Sequence, residues 1–131
     1  MLKSGRGAST FGMRDHRTLK AWQEARTIVL EVLLLSQRSW KPWAGAMFLQ
    51  LQRSSLSVQL NLAEGYAYGP SRSAVRFTRI AFGSAVETGD LLRLLGDAGV
   101  IEQATAQRLV HRSDGVQQLI SGMMRKMRST G

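Results

Sequence analysis

Apolar residues recur at intervals of three and four along most of the chain, and no stretch alternates steadily at intervals of two. That period belongs to a helix face and not to a strand, so the sequence predicts an all-α protein. Leu19, Trp22, Ala25, Val29, Val32 and Leu33 carry a first helix from about Arg17 to about Gln37. Within Ser39-Trp40-Lys41-Pro42-Trp43 the helix must break, because Pro42 lacks an N–H and biases Lys41 away from helical geometry. A second helix is expected from about Gly45 to Glu64, with Gly65 as its C-terminal stop. After Tyr66-Ala67-Tyr68-Gly69-Pro70, Ser71 or Ser73 can cap a third helix reaching about Leu95, closed by Gly96 and Gly99. A fourth starts near Ile101, where Leu109, Ser113, Val116, Ile120, Met123 and Met127 form a seam with one small polar interruption. Long helices joined by short turns imply antiparallel neighbours, hence an up-down-up-down four-helix bundle.

The chain has 131 residues, 44% of them apolar, which suits one compact core: residues 15–128 are expected to form a single bundle domain. Residues 1–14, rich in Gly and Ser and without periodicity, read as a flexible basic arm. Without cysteine, the chain has no disulfide scaffold, cysteine zinc site, iron-sulfur cluster or cysteine nucleophile. The stretch Ile28 to Leu35 is interrupted by Glu31 and falls far short of the ~20 apolar residues that cross a bilayer. No apolar run follows the early basic residues either, so no membrane segment or secretory signal is expected, and the location expected is cytoplasmic.

The net charge is +9, from 18 basic and 9 acidic side chains. Lys3, Arg6, Arg14, Arg17 and Lys20 against Asp15 at the start, with Arg125, Lys126 and Arg128 at the end, account for +7 of it. Arg72, Arg76 and Arg79 fall within ~60° on the third helix. These basic groups are the candidates for phosphate contact.

The second and third helices carry more apolar surface than one core needs. Phe48, Leu51, Val58 and Leu62 share a face of the second, while Leu49, Leu56 and Leu60 cluster about 120° away. On the third, Phe77, Ser84, Leu91 and Leu95 share one face and Val75, Phe82 and Val86 lie nearly opposite. The second stripes, Leu49, Leu56, Leu60, Val75, Phe82 and Val86, are the expected interface of a homo-oligomer.

Catalytic chemistry is poorly supplied. A di-iron bundle needs Glu and His three residues apart, but Glu24, Glu31, Glu64, Glu87 and Glu102 are followed at that spacing by Thr27, Leu34, Ala67, Asp90 and Thr105. His16 and His111 have no evident co-ligands, Gly5-Arg6-Gly7 lacks the rest of a dinucleotide loop, and Gly83-Ser84 is mid-helix and not on a strand-to-helix elbow. No cofactor, metal or enzymatic activity is expected.

The most distinctive local pattern is a polar ladder on the second helix, where Arg53, Ser57, Asn61 and Glu64 fall within one ~80° sector. Its context, QRSSLSVQLNLAEGY from Gln52, followed by IAFGSAVETGDLL from Ile80 and with Leu19, Trp22-Gln23 and Ala25 before it, resembles a family of small bacterial four-helix bundles. Its members were first noticed as products of intervening sequences inside 23S ribosomal RNA genes. The resemblance covers about residues 15 to 127 and implies a signature of Arg53, Ser57, Asn61, Glu64, Gly65, Gly83, Ser84 and Glu87 to which no catalysis is attached. It also implies a barrel-like homopentamer, and related accessory proteins of diversity-generating retroelements bind nucleic acid and a reverse transcriptase. The chain departs from the family at Gln59, where many relatives have proline, and at Ala67-Tyr68-Gly69-Pro70, where they often have a basic, polar turn. Read physically, Arg53 and Glu87 are candidates for an interhelical ion pair, while Ser57, Asn61 and Ser84 can satisfy one another. The cluster Arg53, Ser57, Asn61, Glu64, Ser84 and Glu87 is therefore expected to be structural.

The expected function is a non-enzymatic homo-oligomeric scaffold, most simply a pentamer, that binds RNA or DNA without sequence specificity through its basic tails and Arg72, Arg76 and Arg79. The alternative is a protein-protein interaction module with no nucleic-acid role.

Overall fold

The computed structural model describes residues 15–67 and 69–130, and the expected arm of residues 1–14 lies outside them. Asp15 opens a short 3-10 turn, His16–Thr18, by accepting a hydrogen bond from the Arg17 amide at 3.0 Å. Four helices follow: α1 (Lys20–Ser39), α2 (Gly45–Ala67), α3 (Arg72–Asp97) and α4 (Gln103–Thr130). No strand occurs among the described residues. Pro42 begins a second 3-10 turn, Pro42–Ala44, where its fixed φ and missing N–H cost nothing. Ser71 caps α3, its hydroxyl accepting from the Ala74 amide at 3.0 Å. Gly99 closes the α3–α4 turn at φ +74, a left-handed conformation that costs other residues energy.

Each helix packs against the next, α1 also packs against α4, and the backbones of the diagonal pairs stay more than 8 Å apart among the described residues. Cross-helix contacts run in opposite order along each neighbouring pair. Glu24 and Glu31 of α1 meet Arg112 and Arg108 of α4, and Ser54 and Ser57 of α2 meet Thr88 and Ser84 of α3. The arrangement is the up-down-up-down bundle expected from the helical period. None of the described helices is long and apolar enough to cross a membrane.

The core confirms α2 and corrects its neighbours. Phe48, Leu51, Val58 and Leu62 are buried as expected. On α1 the buried line is Ala21, Ala25, Ile28, Val32 and Leu35, whereas Val29 is half-buried and Leu33 is exposed. The buried face of α3 is not Phe77–Ser84–Leu91, which is half-buried at one side, but Ala74, Thr78, Ala81, Ala85, Thr88, Gly89, Leu92, Leu95 and Gly96. Small side chains along that line let α2 and α4 approach α3 closely.

Gly65 does not stop α2, which continues through Ala67. It sits against α3: a Cβ there would lie 3.1 Å from Phe77 Cβ, 3.2 Å from the Ala74 carbonyl oxygen and 3.3 Å from Thr78 Oγ1. The glycine is required by packing and not by termination.

Candidate nucleic-acid interface and the polar cluster

Within the polar ladder the hydroxyls of Ser57 and Ser84 meet at 2.8 Å, and the Asn61 amide donates to the Ser57 carbonyl at 2.9 Å and to its hydroxyl at 3.1 Å. One turn away, the buried Thr88 hydroxyl lies 2.9 Å from Ser54 Oγ and donates to the Ser84 carbonyl at 2.8 Å. The expected Arg53–Glu87 ion pair does not form. Gln50, one turn before Arg53, reaches Glu87 instead, its amide donating to the carboxylate at 2.6 Å. Arg53 and Glu64 are exposed and make no ion pair among the described residues. The ladder thus divides into an inner part that ties α2 to α3 and an outer part facing solvent.

Sequence reasoning did not identify Ser54, Ser55, Thr78 and Thr88 as buried polar groups, although all are nearly inaccessible. Each finds a carbonyl or hydroxyl partner, so none is left unsatisfied. Ser113, whose place in the α4 seam did mark it, donates to the Ala85 carbonyl at 2.8 Å and so joins α4 to α3. No described cluster of His, Asp or Glu is arranged to hold a metal. His16 packs edge-on against Trp22 with ring centroids 5.1 Å apart.

Leu49, Leu56 and Leu60 are exposed, as the second stripe of α2 required. The sequence reading missed that Leu30, Leu33 and Leu34 of α1 are exposed too, and that Val29, Leu33, Leu49 and Leu56 line one groove between the two helices. On α3 only Val86 of the expected interface residues is openly exposed. Val75 is half-buried, and Phe82 packs against the core from its edge. The stripe of α3 is therefore partly consumed within the chain, and the larger free apolar face belongs to α1 and α2.

Topology redistributes the charge. One half of the bundle, where the chain enters at Asp15, α2 ends, α3 begins and α4 ends, comprises residues 15–29, 57–67, 72–84 and 117–130. It holds nine basic side chains (Arg17, Lys20, Arg26, Arg72, Arg76, Arg79, Arg125, Lys126, Arg128) against Asp15, Glu24 and Glu64, a net +6. The other half has six of each sign and is neutral. The groups of α3 and α4 that sequence reading placed in separate segments share one end. Arg17 is engaged locally, its guanidinium binding both Asp15 carboxylate oxygens at 2.9 and 3.1 Å, and this contact holds the Asp15 carboxyl below its ordinary pKa and raises that of Arg17. Arg72, Arg76, Arg79, Arg125 and Arg128 have no carboxylate within ion-pairing distance among the described residues. In the neutral half, by contrast, Arg93 is tied to Asp90 and Asp114, Arg108 to Glu31, and Arg112 to Glu31 and to Glu24 of the basic half.

The family model of the 23S rRNA-intervening sequence protein matches residues 17–122. The chain belongs to this family. No curated protein matches the chain closely enough to add a relative. Several residues of the polar pattern have visible structural work: Ser57 bonds to both Asn61 and Ser84, Gly65 admits α3, and Glu87 accepts from α2. Gly83 is different, since among the described residues nothing beyond its own helical turn lies within 4 Å of the place its Cβ would occupy.

Proposed function

We propose that this member of the family is a non-catalytic cytoplasmic scaffold that associates with copies of itself and binds RNA or DNA through phosphate contacts at the basic half of the bundle. The observation that carries this reading is the +6 half, in which the five arginines of α3 and α4 make no ion pair among the described residues, opposite a neutral half. Guanidinium groups without carboxylate partners attract a phosphate backbone and release its counterions, a gain that does not depend on base sequence. Self-association is supported by the exposed leucines of α1 and α2, and the number five by family resemblance alone. Assembly multiplies the basic ends and raises the effective concentration of the second contact once the first has formed.

Fluorescence anisotropy with labelled RNA and DNA tests the reading. Binding at about 50 mM salt that weakens steeply by about 200 mM is expected. Absence of binding by the intact protein at the lower salt favours the second reading, a protein-interaction module docked on the exposed apolar face of α1 and α2.

A further inference from the structure

The five arginines do not surround the basic end evenly. Ser113 and Gln117 contact Ala85, and Phe82 lines the same groove as Ser121 and Arg125, so residues 72–79 of α3 run beside the last two turns of α4. At 100° per residue, Arg72, Arg76 and Arg79 point away from the buried face of α3, and Arg125 and Arg128 lie on the α3 side of α4. Beside them lies a polar groove lined by Phe82 of α3 and by Asp114, Gln117, Gln118, Ser121 and Arg125 of α4. Asp114 faces Arg93 at 3.8 Å, which offsets its charge at that part of the groove.

We infer that this α3–α4 groove is the track for one nucleic-acid strand, a deepening that rests on the proposed nucleic-acid reading. Arginines on both banks bracket the phosphates, Gln117, Gln118 and Ser121 offer amides and a hydroxyl to sugars and base edges, and the half-buried ring of Phe82 offers one face to a base. Two packed helices stand only about 8–10 Å apart. A single backbone fits between such ridges, while a duplex rests on their crests and meets fewer of the arginines. The amides and the single aromatic ring specify no base, so the track tolerates sequence.

The test uses the full-length protein with a labelled single-stranded RNA, the DNA of the same sequence, and the DNA duplex. Five phosphate contacts predict a log-log salt slope of about −3.5 for single strands. The double variant Arg79→Gln/Arg125→Gln should flatten that slope by about 1.4 and bind roughly tenfold more weakly at low salt. Arg38→Gln/Lys41→Gln, which removes equal charge from the neutral half, should leave both unchanged. Gln118→Glu, at an exposed position on the groove, should weaken binding while all arginines remain. RNA bound more tightly than DNA would assign the sugar hydroxyl to the groove amides; equal affinity would assign the contact to phosphate alone, and both support the track. Wild-type binding with equal losses in the two double variants, or tighter binding of duplex than of single strands, overturns the track and leaves the nucleic-acid reading standing. No binding by the wild type overturns both.

Discussion

The hydroxyl oxygens of Ser57 and Ser84 lie 2.8 Å apart, and this contact aligns α2 with α3 at the middle of their interface. It belongs to a row that continues to the buried pair Ser54 and Thr88 at 2.9 Å. A buried hydroxyl deprived of its partner retains its desolvation cost. Thr88→Val, which keeps the shape and deletes the hydroxyl, should therefore destabilise the bundle by about 1–2 kcal/mol in urea denaturation.

Two helical glycines, Gly65 and Gly83, should respond oppositely to substitution. Gly65→Val forces methyls toward the Ala74 carbonyl and Phe77 Cβ, both on the helix that packs there, and should cost about 1–3 kcal/mol. Gly83 has open space around it, so Gly83→Ala should raise stability by about 1 kcal/mol through helix propensity alone. Denaturant midpoints of the two variants, measured side by side, check the contrast.

The seam between α1 and α4 is bridged by charge. Arg108 reaches Glu31 at 2.7 Å, and Arg112 reaches Glu24 at 3.4 Å and Glu31 at 3.5 Å. These groups are partly exposed and screened, so Glu31→Gln should cost no more than about 1 kcal/mol globally. Its larger effect should be local, as faster amide hydrogen exchange in α1 than in α2 or α3, with the difference from wild type shrinking at high salt.

At the N-terminal turn, the bidentate contact from Arg17 lowers the Asp15 pKa below 3.8. A depressed folded-state pKa means that the contact stabilises the turn above the ordinary aspartate range and is lost as pH falls through the lowered value. Carboxyl titration by NMR should place the Asp15 midpoint below 3.8, and Arg17→Ala should move it upward.

Leu56 and Phe82, which the sequence assigns to one interface, should behave differently. Leu56 is 42% exposed, so Leu56→Glu should leave helix content intact and reduce the assembled mass seen by light scattering. Phe82 packs against the core, so Phe82→Glu should lower the thermal midpoint as well. A wild type that is monomeric at micromolar concentration defeats the self-association proposal.

Local chemistry made much of the fold legible. Pro42 and Ser71 act on their own backbone neighbourhood, and their consequences needed no knowledge of other helices. The hydroxyl cluster was legible too, because Ser57 and Asn61 are one turn apart and Ser84 opens the corresponding position on α3. Gln50 was not, since choosing between it and Arg53 as the partner of Glu87 depends on how far α2 is rotated toward α3. An error of one residue, 100° about the axis, exchanges the answer. The same angular limit hid the small-residue face of α3, where alanine, threonine and glycine bury close contacts that an apolar count ranks below phenylalanine and leucine.

By itself the sequence determined that four amphipathic helices form, roughly where they break, and that excess apolar and basic groups are present, because periodicity, capping and proline act within a few residues. Tertiary structure alone decided that Gly65 admits a neighbour instead of ending a helix, that α1 supplies half of the free apolar face, and that Arg72 and Arg128 share one end. Those outcomes depend on antiparallel register, which sets Gly65 against Ala74 and Phe77 and brings Arg72 to the same end as Arg128, and charges so distant in sequence become one electrostatic surface only after the helices have packed.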